Sequence, residues 1–473
     1  MKLIDMLRGS YIRSPHWVKR GAAPILSLLP YSLRYGKTYL ELRKLISRSE
    51  DEADFVEQYQ LQLLQSMIAD CNNSSSYYQE LFKRVFSRMP DASTFSIDDL
   101  KSLPVLSREV VQSNAEKLLV TSVDNVDIAT TSGSSGEPLK FYLDRDRSVR
   151  EWAFVHHLWQ RIGYSPRHRR ATLRGVVINN VDKKPWEFDP AINELRLSPF
   201  HLVPEVMDRY LELIADYHVD FIHGYPSAVS MLASHAKRIG WSPPAKLIGV
   251  FPISESFLPH QRALIEEAFG GIKIMMCYGL SEKSAIAGEL PDSPGVYEFE
   301  PLYGITELVN DDGFPITAIG SVGRIVSTGF VSTAMPLLRY DTGDIAELVQ
   351  LPSKENCYRM RVKNIRSRWA QEFVVGRNNA LISISAINIH SPVYARIQAF
   401  QFHQHTPGEV SVKVVPLPGE KKEDIEPFVS EIQAKVGESV KFSLEITDAL
   451  ALNKRGKRRF IIQKLDTNST ISL

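Results

Sequence analysis

The chain has 473 residues, of which 44% are hydrophobic and 23% charged, and this is the balance of a folded globular protein. A chain of this length exceeds one compact core, so a large domain and at least one smaller one are predicted. The formal net charge is +1, which provides no overall field to attract nucleic acid, and no nucleic-acid partner is expected.

The cysteines are few and scattered, at Cys71, Cys277 and Cys357, and no two of them form a Cys-x-x-Cys pair. This pattern predicts a reducing compartment. It argues against both a disulfide framework and a thiolate zinc site.

The best candidate for a membrane or signal segment is the apolar run of residues 22–29, which ends at Pro30. It is far shorter than the roughly 20 residues of a spanning helix. Charged residues extend too deep into the chain for a signal peptide, so we expect a cytoplasmic protein. The basic first forty residues would suit peripheral contact with an anionic membrane surface, although a solvated face is the preferred interpretation.

The segment up to about residue 84 predicts helices, because its apolar residues recur at helical spacing. From residue 126, short apolar runs alternate with helical stretches. Buried strands are predicted over residues 128–131, 139–143, 171–178, 221–223, 247–251 and 272–276. Helices are predicted over residues 147–162, 205–217, 228–239 and 258–269. This alternation predicts an α/β fold whose large N-terminal domain is layered and has mixed, partly parallel sheets.

The pattern changes again after Arg377. Two alternating apolar runs, residues 400–402 and 410–414, flank a Thr-Pro-Gly turn and predict a hairpin. An amphipathic helix then ends at Gly437, and a strand over residues 441–447 leads into a basic loop. We therefore predict a boundary near Asn378, between a large domain of residues 1–378 and a small α+β domain of residues 379–473.

A cluster of small residues lies between the predicted strands 128–131 and 139–143. Glycines let successive backbone N–H groups converge and hydroxyls add donors, so such a loop can wrap an anion. A polar hairpin is the alternative interpretation, because short motifs recur by chance. The candidate phosphate-binding residues are Thr131, Ser132, Gly133, Ser134, Ser135 and Gly136.

Three further segments carry residues suited to nucleotide chemistry. Tyr278 and Glu282 follow a predicted strand, where an aromatic ring and a carboxylate suit base stacking and metal binding. Asp344 lies in a predicted tight turn, where it could accept hydrogen bonds from ribose hydroxyls. Lys457 follows Gly456 in a loop of the predicted small domain. Taken singly, these segments would be interpreted as surface turns and a solvated basic tail.

Together and in this order, the segments resemble the adenylate-forming superfamily of acyl-CoA synthetases, firefly luciferases and peptide-synthetase adenylation domains. The likeness is closest to its phenylacetate–CoA ligase branch, which includes proteins associated with capsular polysaccharide synthesis. The pieces specific to this branch are the Thr-Ser-Gly-Ser-Ser-Gly-Glu-Pro loop, the Gly-Tyr-Pro-Ser segment from Gly224, and the run from Ala334 to Asp344. The likeness covers nearly the whole chain.

The resemblance implies an ATP- and Mg²⁺-dependent ligase that activates a carboxylic acid as acyl-AMP, releases pyrophosphate and transfers the acyl group to CoA. A mobile small domain would carry Lys457 to the α-phosphate, and Glu282 would help to hold Mg²⁺. The small-residue loop would bind the phosphates of the nucleotide. Tyr278 would stack on adenine, with Gly279 and Ser281 beside it. Asp344 and Arg377 would contact the ribose.

The acyl pocket is less clearly marked. His201 ends a segment resembling one that contacts the carboxylate in many relatives, although a histidine satisfied at the start of a helix is the alternative. Four residues after a predicted strand are expected on the substrate side: His223, Gly224, Tyr225 and Ser227. A further pair, Ser254 and Glu255, is expected near the adenine pocket. The basic cluster of residues 167–174 could meet a phosphate-bearing acceptor, but a solvated surface is the preferred interpretation.

The small domain departs from the resemblance. Asn379 stands where relatives often have a charged residue, and neither Pro nor Thr precedes Gly456. Because this domain helps to form the acceptor tunnel, CoA, an amine such as an amino sugar of a surface polysaccharide, and a carrier protein all remain open as acceptors. A non-catalytic nucleotide-binding module is a further alternative, which the presence of Glu282, Asp344 and Lys457 disfavours.

Overall fold

The computed structural model describes residues 31–131, 139–176, 178, 181–190, 192–243, 247–367, 373–377, 380–387, 389, 391–451, 461–463 and 465. The described chain begins with helices, as the sequence predicts. They are α1 (Tyr31–Arg48), α2 (Ala53–Ser74), α3 (Ser76–Phe86), α4 (Ile97–Ser102) and α5 (Arg108–Asn114). Serine caps begin the last three of these, because a hydroxyl satisfies an N–H group of the first turn. No helix in the described ranges combines the length and apolar character needed to cross a membrane.

The predicted strands on either side of the small-residue loop are confirmed. β1 (Val126–Thr131) and β2 (Leu139–Asp144) pair antiparallel, with Thr131 opposite Leu139. The alternating region follows as α6 (Arg147–Gln160), β3 (Arg170–Leu173), β4 (Trp186–Asp189), β5 (Glu194–Leu197), α7 (Pro204–Asp216), β6 (Phe221–Gly224), α8 (Pro226–Ile239), β7 (Gly249–Pro252), α9 (Pro259–Ala268) and β8 (Lys273–Ile274).

Six of these strands form one sheet in the described chain, in the order β4-β5-β3-β6-β7-β8. Only the β4–β5 pair is antiparallel, so the carboxyl ends of β3, β6 and β7 lie at one edge. The predicted strand over residues 171–178 is wrong beyond Leu173. There the Val176 N–H donates to the Arg174 carbonyl at 2.6 Å, and this tight turn ends the strand.

A second, antiparallel sheet follows in the order β12-β13-β14-β15-β11-β10-β9. Its strands are β9 (Cys277–Gly279), β10 (Ile286–Leu290), β11 (Ser293–Phe299), β12 (Gly304–Val309), β13 (Val322–Gly329), β14 (Tyr340–Gln350) and β15 (Arg361–Ser367). Helix α6 contacts both sheets. Trp159 stacks on Phe251 of β7 with centroids 4.1 Å apart, and Phe154 meets Tyr303 next to β12 at 5.0 Å.

The C-terminal part contains the predicted hairpin, helix and strand. Its elements are β16 (Phe373–Val375), β17 (Leu381–Ser383), α10 (Ile384–Ile387), β18 (Ile397–Thr406), β19 (Glu409–Pro416), α11 (Lys422–Val436), β20 (Lys441–Ile446) and β21 (Ile461–Gln463). The sheet order is β20-β19-β18-β21, and the sequence analysis missed β21. Buried Ile425 and Phe428 of α11 pack in the core of this sheet. The expected α/β class, with a small α+β unit at the C-terminus, is confirmed.

Candidate active site

Tyr278 and Asp344, which the sequence assigns to one nucleotide pocket, are in direct contact. The Tyr278 hydroxyl donates a hydrogen bond to Oδ2 of Asp344 at 2.8 Å. The Tyr278 ring also packs edge-on against Phe299, with centroids 5.8 Å apart. Burial, and secondly the Asp344 charge, raise the pKa of Tyr278 well above its ordinary value, so the phenol remains a donor.

The predicted tight turn at Asp344 is wrong. Asp344 lies within strand β14, opposite Ser367 of β15. Gly343 has a φ of +79°, and the Gly343 and Asp344 N–H groups donate to the side chains of Asp341 and Thr342. Side-chain acceptors therefore hold an irregular stretch of strand where the sequence suggested a turn.

The candidate metal ligand Glu282 is buried and oriented by a tyrosine that the sequence analysis did not single out. The Tyr340 hydroxyl donates to Oε1 of Glu282 at 3.0 Å. Burial, followed by the Glu282 charge, raises the pKa of Tyr340 well above its ordinary value. Mg²⁺ is typically held by one or two carboxylates together with substrate phosphates, and Glu282 offers such a carboxylate.

The other residues of this segment lie in its turn. Gly279 ends β9, Ser281 is exposed, and the Lys283 N–H donates to the Leu280 carbonyl at 3.2 Å. Lys283 has a φ of +60°, and its ammonium pairs with Glu151 of α6 at 2.7 Å. This pairing ties the turn that carries Glu282 to the helix between the two sheets.

The residues expected on the substrate side lie at the carboxyl ends of β6 and β7. A Cβ on Gly224 would meet the Leu173 carbonyl oxygen at 2.7 Å, so the close approach of β3 requires glycine there. The Tyr225 hydroxyl accepts the Gly175 N–H at 2.9 Å. At the start of α8, the Ser227 N–H donates to Oε2 of Glu255 at 3.0 Å. Ser254 precedes that carboxylate with a φ of +65°.

His201 lies where the large and small units meet. Its ring shares hydrogen bonds with Ser198 at 2.8 Å and Asp182 at 3.2 Å. Asp182 Oδ1 also accepts the Glu438 N–H at 2.8 Å. A Cβ on Gly437 would approach that same oxygen at 2.6 Å. His201 therefore takes part in a contact between the large and small units. This favours the alternative interpretation of His201 as a histidine whose hydrogen bonds are satisfied within the protein.

Arg377 lies between β16 and β17, which pair antiparallel. Its N–H donates to the Ser439 carbonyl at 3.0 Å, and Gly408, with a φ of +78°, packs against its side chain. The Arg377 side chain is exposed. Thr131 ends β1, whereas Ser132, Gly133, Ser134, Ser135, Gly136, Lys457 and the predicted boundary residue Asn378 lie outside the described residues. The ligand contacts assigned to all these residues stay predictions.

The sequence analysis expected the basic cluster of residues 167–174 to form a solvated surface. This expectation is wrong for Arg170. Its side chain is buried and pairs with Glu194 at 3.0 Å, beside the ring of Trp159. Arg170 is the first residue of β3, which lies between two other strands and beneath α6, so its side chain points into the protein. Periodicity in the sequence could not show that this strand is central.

The fold of the large and small units is that of the adenylate-forming ligases. A 2-hydroxyisobutyryl-CoA ligase, solved in complex with 2-HIB-AMP and CoA, superimposes with a TM-score of 0.55 at 16% identity, covering 88% of this chain and 91% of that one. Residues 374–464 match the family model described as the CapK C-terminal domain.

Several proteins of known name are similar to this chain in sequence. Protein CapK of Staphylococcus aureus is 22% identical over 472 residues, covering 97% of this chain and 100% of that protein. The phenylacetate-coenzyme A ligases of Aromatoleum evansii and Thermus thermophilus are 28% and 29% identical, and the matches cover 39% and 40% of their lengths. The chain is thus similar to CapK along nearly its whole length and to the phenylacetate–CoA ligases over part of it, and it shares the fold of a 2-hydroxyisobutyryl-CoA ligase.

Proposed function

We propose that the protein uses ATP and Mg²⁺ to convert a small-molecule carboxylic acid into an acyl-adenylate, releasing pyrophosphate, and then transfers the acyl group to CoA. The observation that carries this proposal is the hydrogen bond between Tyr278 and Asp344, residues separated by 66 positions along the chain. It joins the residue expected to stack on adenine to the residue expected to bind the ribose hydroxyls.

The residue types suit the reaction. A carboxylate that attacks the α-phosphate brings two anions together, so the barrier is largely electrostatic. Mg²⁺ would supply positive charge at the phosphates, and Glu282, oriented by Tyr340, would hold it. Backbone N–H groups of the loop 131–136 and the ammonium of Lys457 would add to that charge. This chemistry requires no covalent enzyme nucleophile.

Transfer to an amine, such as an amino sugar of a surface polysaccharide, is the second candidate. The match to CapK covers 97% of this chain, and residues 374–464 match the CapK C-terminal domain. The phenylacetate–CoA ligases cover only about two fifths of the chain, 38% and 39%. Since the small domain is expected to form the acceptor side, its match to the CapK C-terminal domain motivates this second candidate. A carrier protein remains a further alternative.

ATP–pyrophosphate exchange by the full-length protein tests the proposal. We expect exchange with one class in a panel of carboxylic acids, and a large loss in Asp344→Asn. Asp292→Asn, an exposed turn residue, is the matched control. If no acid supports exchange, the non-catalytic nucleotide-binding module replaces the proposal. With an active acid, a thioester formed from CoA alone at a useful kcat/KM would remove the amine alternative.

A further inference from the structure

Two nitrogen-bearing side chains remain unsatisfied at the carboxyl ends of β3 and β6. The His223 side chain is fully buried, and neither ring nitrogen has a hydrogen-bond partner in the described structure. Its ring meets that of Trp159 edge-on at 4.8 Å, so aromatic packing surrounds it without satisfying it. Leaving a buried polar group unpaired costs stability, and such a group in a folded protein calls for an explanation.

Arg174 is the second of these side chains. It follows the last residue of β3, and β3 pairs with β6 so that Thr172 is opposite His223 and Leu173 opposite Gly224. The Nε atom of Arg174 is buried and has no partner, and no residue of the described ranges forms an ion pair with its guanidinium. Burial, and next the Arg174 charge, lower the pKa of His223 well below its ordinary value. A neutral imidazole, carrying one N–H donor, thus faces a guanidinium.

Nearby carboxylates are already engaged. Glu194 accepts hydrogen bonds from Arg170 at 3.0 Å and from Thr172 at 2.7 Å, and it also pairs with Arg196 at 3.2 Å. Glu255 accepts the Ser227 N–H. Burial, and next the Arg174 charge, lower the pKa of Lys435 in α11 to about 8. Neither Glu194 nor Glu255 forms an ion pair with Arg174 in the described structure.

The position of this pair points to the acyl side of the site. Trp159 contacts the His223 ring and belongs to the hydrophobic cluster against which Cys277 packs. Cys277 directly precedes Tyr278. One indole thus separates the His223 ring from the strand expected to bind adenine. Tyr225, two residues beyond His223, belongs to the segment expected to line the acyl pocket.

We propose that Arg174 and His223 together bind a second anionic group on the carboxylic acid, remote from the carboxylate that is adenylated. The inference rests on the proposed function and names its substrate class, short acids that carry a further carboxylate or phosphate. The guanidinium presents paired N–H donors to two anionic oxygens, and the imidazole donates its single N–H to one of them. Such a ligand satisfies both orphaned side chains and offsets the positive charge.

ATP–pyrophosphate exchange with matched acids tests the inference in the full-length protein. Succinate and glutarate represent a second carboxylate, 3-phosphoglycerate represents a phosphate, and butyrate and valerate are the singly anionic counterparts of the two dicarboxylates. We expect a doubly anionic acid to exceed its counterpart in kcat/KM. Arg174→Gln should lower that ratio by about 10- to 100-fold, the loss of one charge-assisted pair. Arg88→Gln, at an exposed position, is the control.

A second measurement keeps the two proposals separable. Without ATP, the doubly anionic acid should shift the imidazole NMR signal of His223, identified by its loss in His223→Gln, and Arg174→Gln should abolish the shift. Exchange with the singly anionic acids, together with no shift by any dianion, would overturn the inference alone. A raised KM for ATP in Arg174→Gln, with the acid ratio unchanged, would also overturn it, because the anion would then belong to the nucleotide. Absence of exchange with every acid would overturn the proposed function and, with it, this substrate class.

Discussion

The Tyr278 hydroxyl donates to Asp344 Oδ2 across 2.8 Å, although three strands of their sheet lie between β9 and β14. Adjacent strands are spaced by about 4.8 Å, so a flat sheet would hold these residues far apart. The sheet must therefore curl strongly, as twisted antiparallel sheets do, to bring its distant strands together. This curvature brings together the two residues that we assign to the nucleotide.

Tyr278→Phe removes the hydroxyl and keeps the ring. We expect the KM for ATP to rise about three- to tenfold, because one hydrogen bond to a charged partner is lost while stacking is retained. ATP–pyrophosphate exchange kinetics measure the change. Tyr303→Phe, another buried tyrosine in the same half of the chain, should leave the KM for ATP unaltered. Equal effects of the two substitutions would contradict the assignment of Tyr278.

Glu282→Gln removes the carboxylate that Tyr340 orients. We expect exchange to fall by about 10²- to 10³-fold, and the Mg²⁺ concentration at half-maximal rate to rise, because a preorganised charge at the phosphates is lost. A Mg²⁺ titration of the exchange rate measures both effects. The control is Glu205→Gln, at an exposed residue of α7. An unchanged Mg²⁺ requirement in Glu282→Gln would exclude its metal role.

Lys457→Ala should separate the two half-reactions. Adenylate formation should be abolished, because Lys457 is expected to neutralise charge at the α-phosphate only in that step. Transfer from a chemically prepared acyl-adenylate to the acceptor should be largely retained. Single-turnover assays of each half-reaction measure this, and an equal loss in both would refute the role given to Lys457.

Arg339, inside the motif that ends at Asp344, should act on stability. It is buried and pairs with Glu307 through Nε at 3.0 Å and Nη2 at 3.1 Å, and its Nη1 donates to the Lys101 carbonyl at 2.9 Å. Arg339→Leu should lower the free energy of unfolding by about 3–5 kcal/mol, because it strands the buried carboxylate. The double variant Arg339→Met/Glu307→Leu should recover much of that loss. Urea denaturation measures both, and a loss below about 1 kcal/mol in the single variant would count against this role.

The protein should become less stable at acidic pH in part because Glu300 becomes protonated. Burial alone would raise the pKa of Glu300, but the charges of Arg359, His157 and Arg161 outweigh it and lower the pKa from 4.5 to about 2. A depressed carboxyl pKa stabilises the fold above pH 4.5, and this contribution is lost as the pH falls towards 2. Glu300→Gln should therefore be less stable at pH 5, yet lose less stability between pH 5 and pH 3. Denaturant titrations at the two pH values test this, and parallel losses in the variant and the wild type would contradict it.

Local pattern accounts for what could be predicted. The helices before residue 84, the β1–β2 pair, and the hairpin and helix of the small unit follow from periodicity and turn residues. The order of chemically distinctive segments, from the small-residue loop to Lys457, was sufficient to suggest the adenylate-forming class. Each of these features depends either on residues near one another in the chain or on the order of short motifs along it. The sequence by itself therefore determined them.

Only the tertiary structure decided which distant side chains meet. Tyr340 orients Glu282 from 58 residues away, and Arg174 comes beside His223 because β3 and β6 are neighbours in a sheet. The sequence alone suggested that the whole basic cluster is solvated, whereas Arg170 is buried because its strand is central and covered by α6. Strand order, sheet curvature and burial arise from packing across the whole chain, and no local periodicity records them.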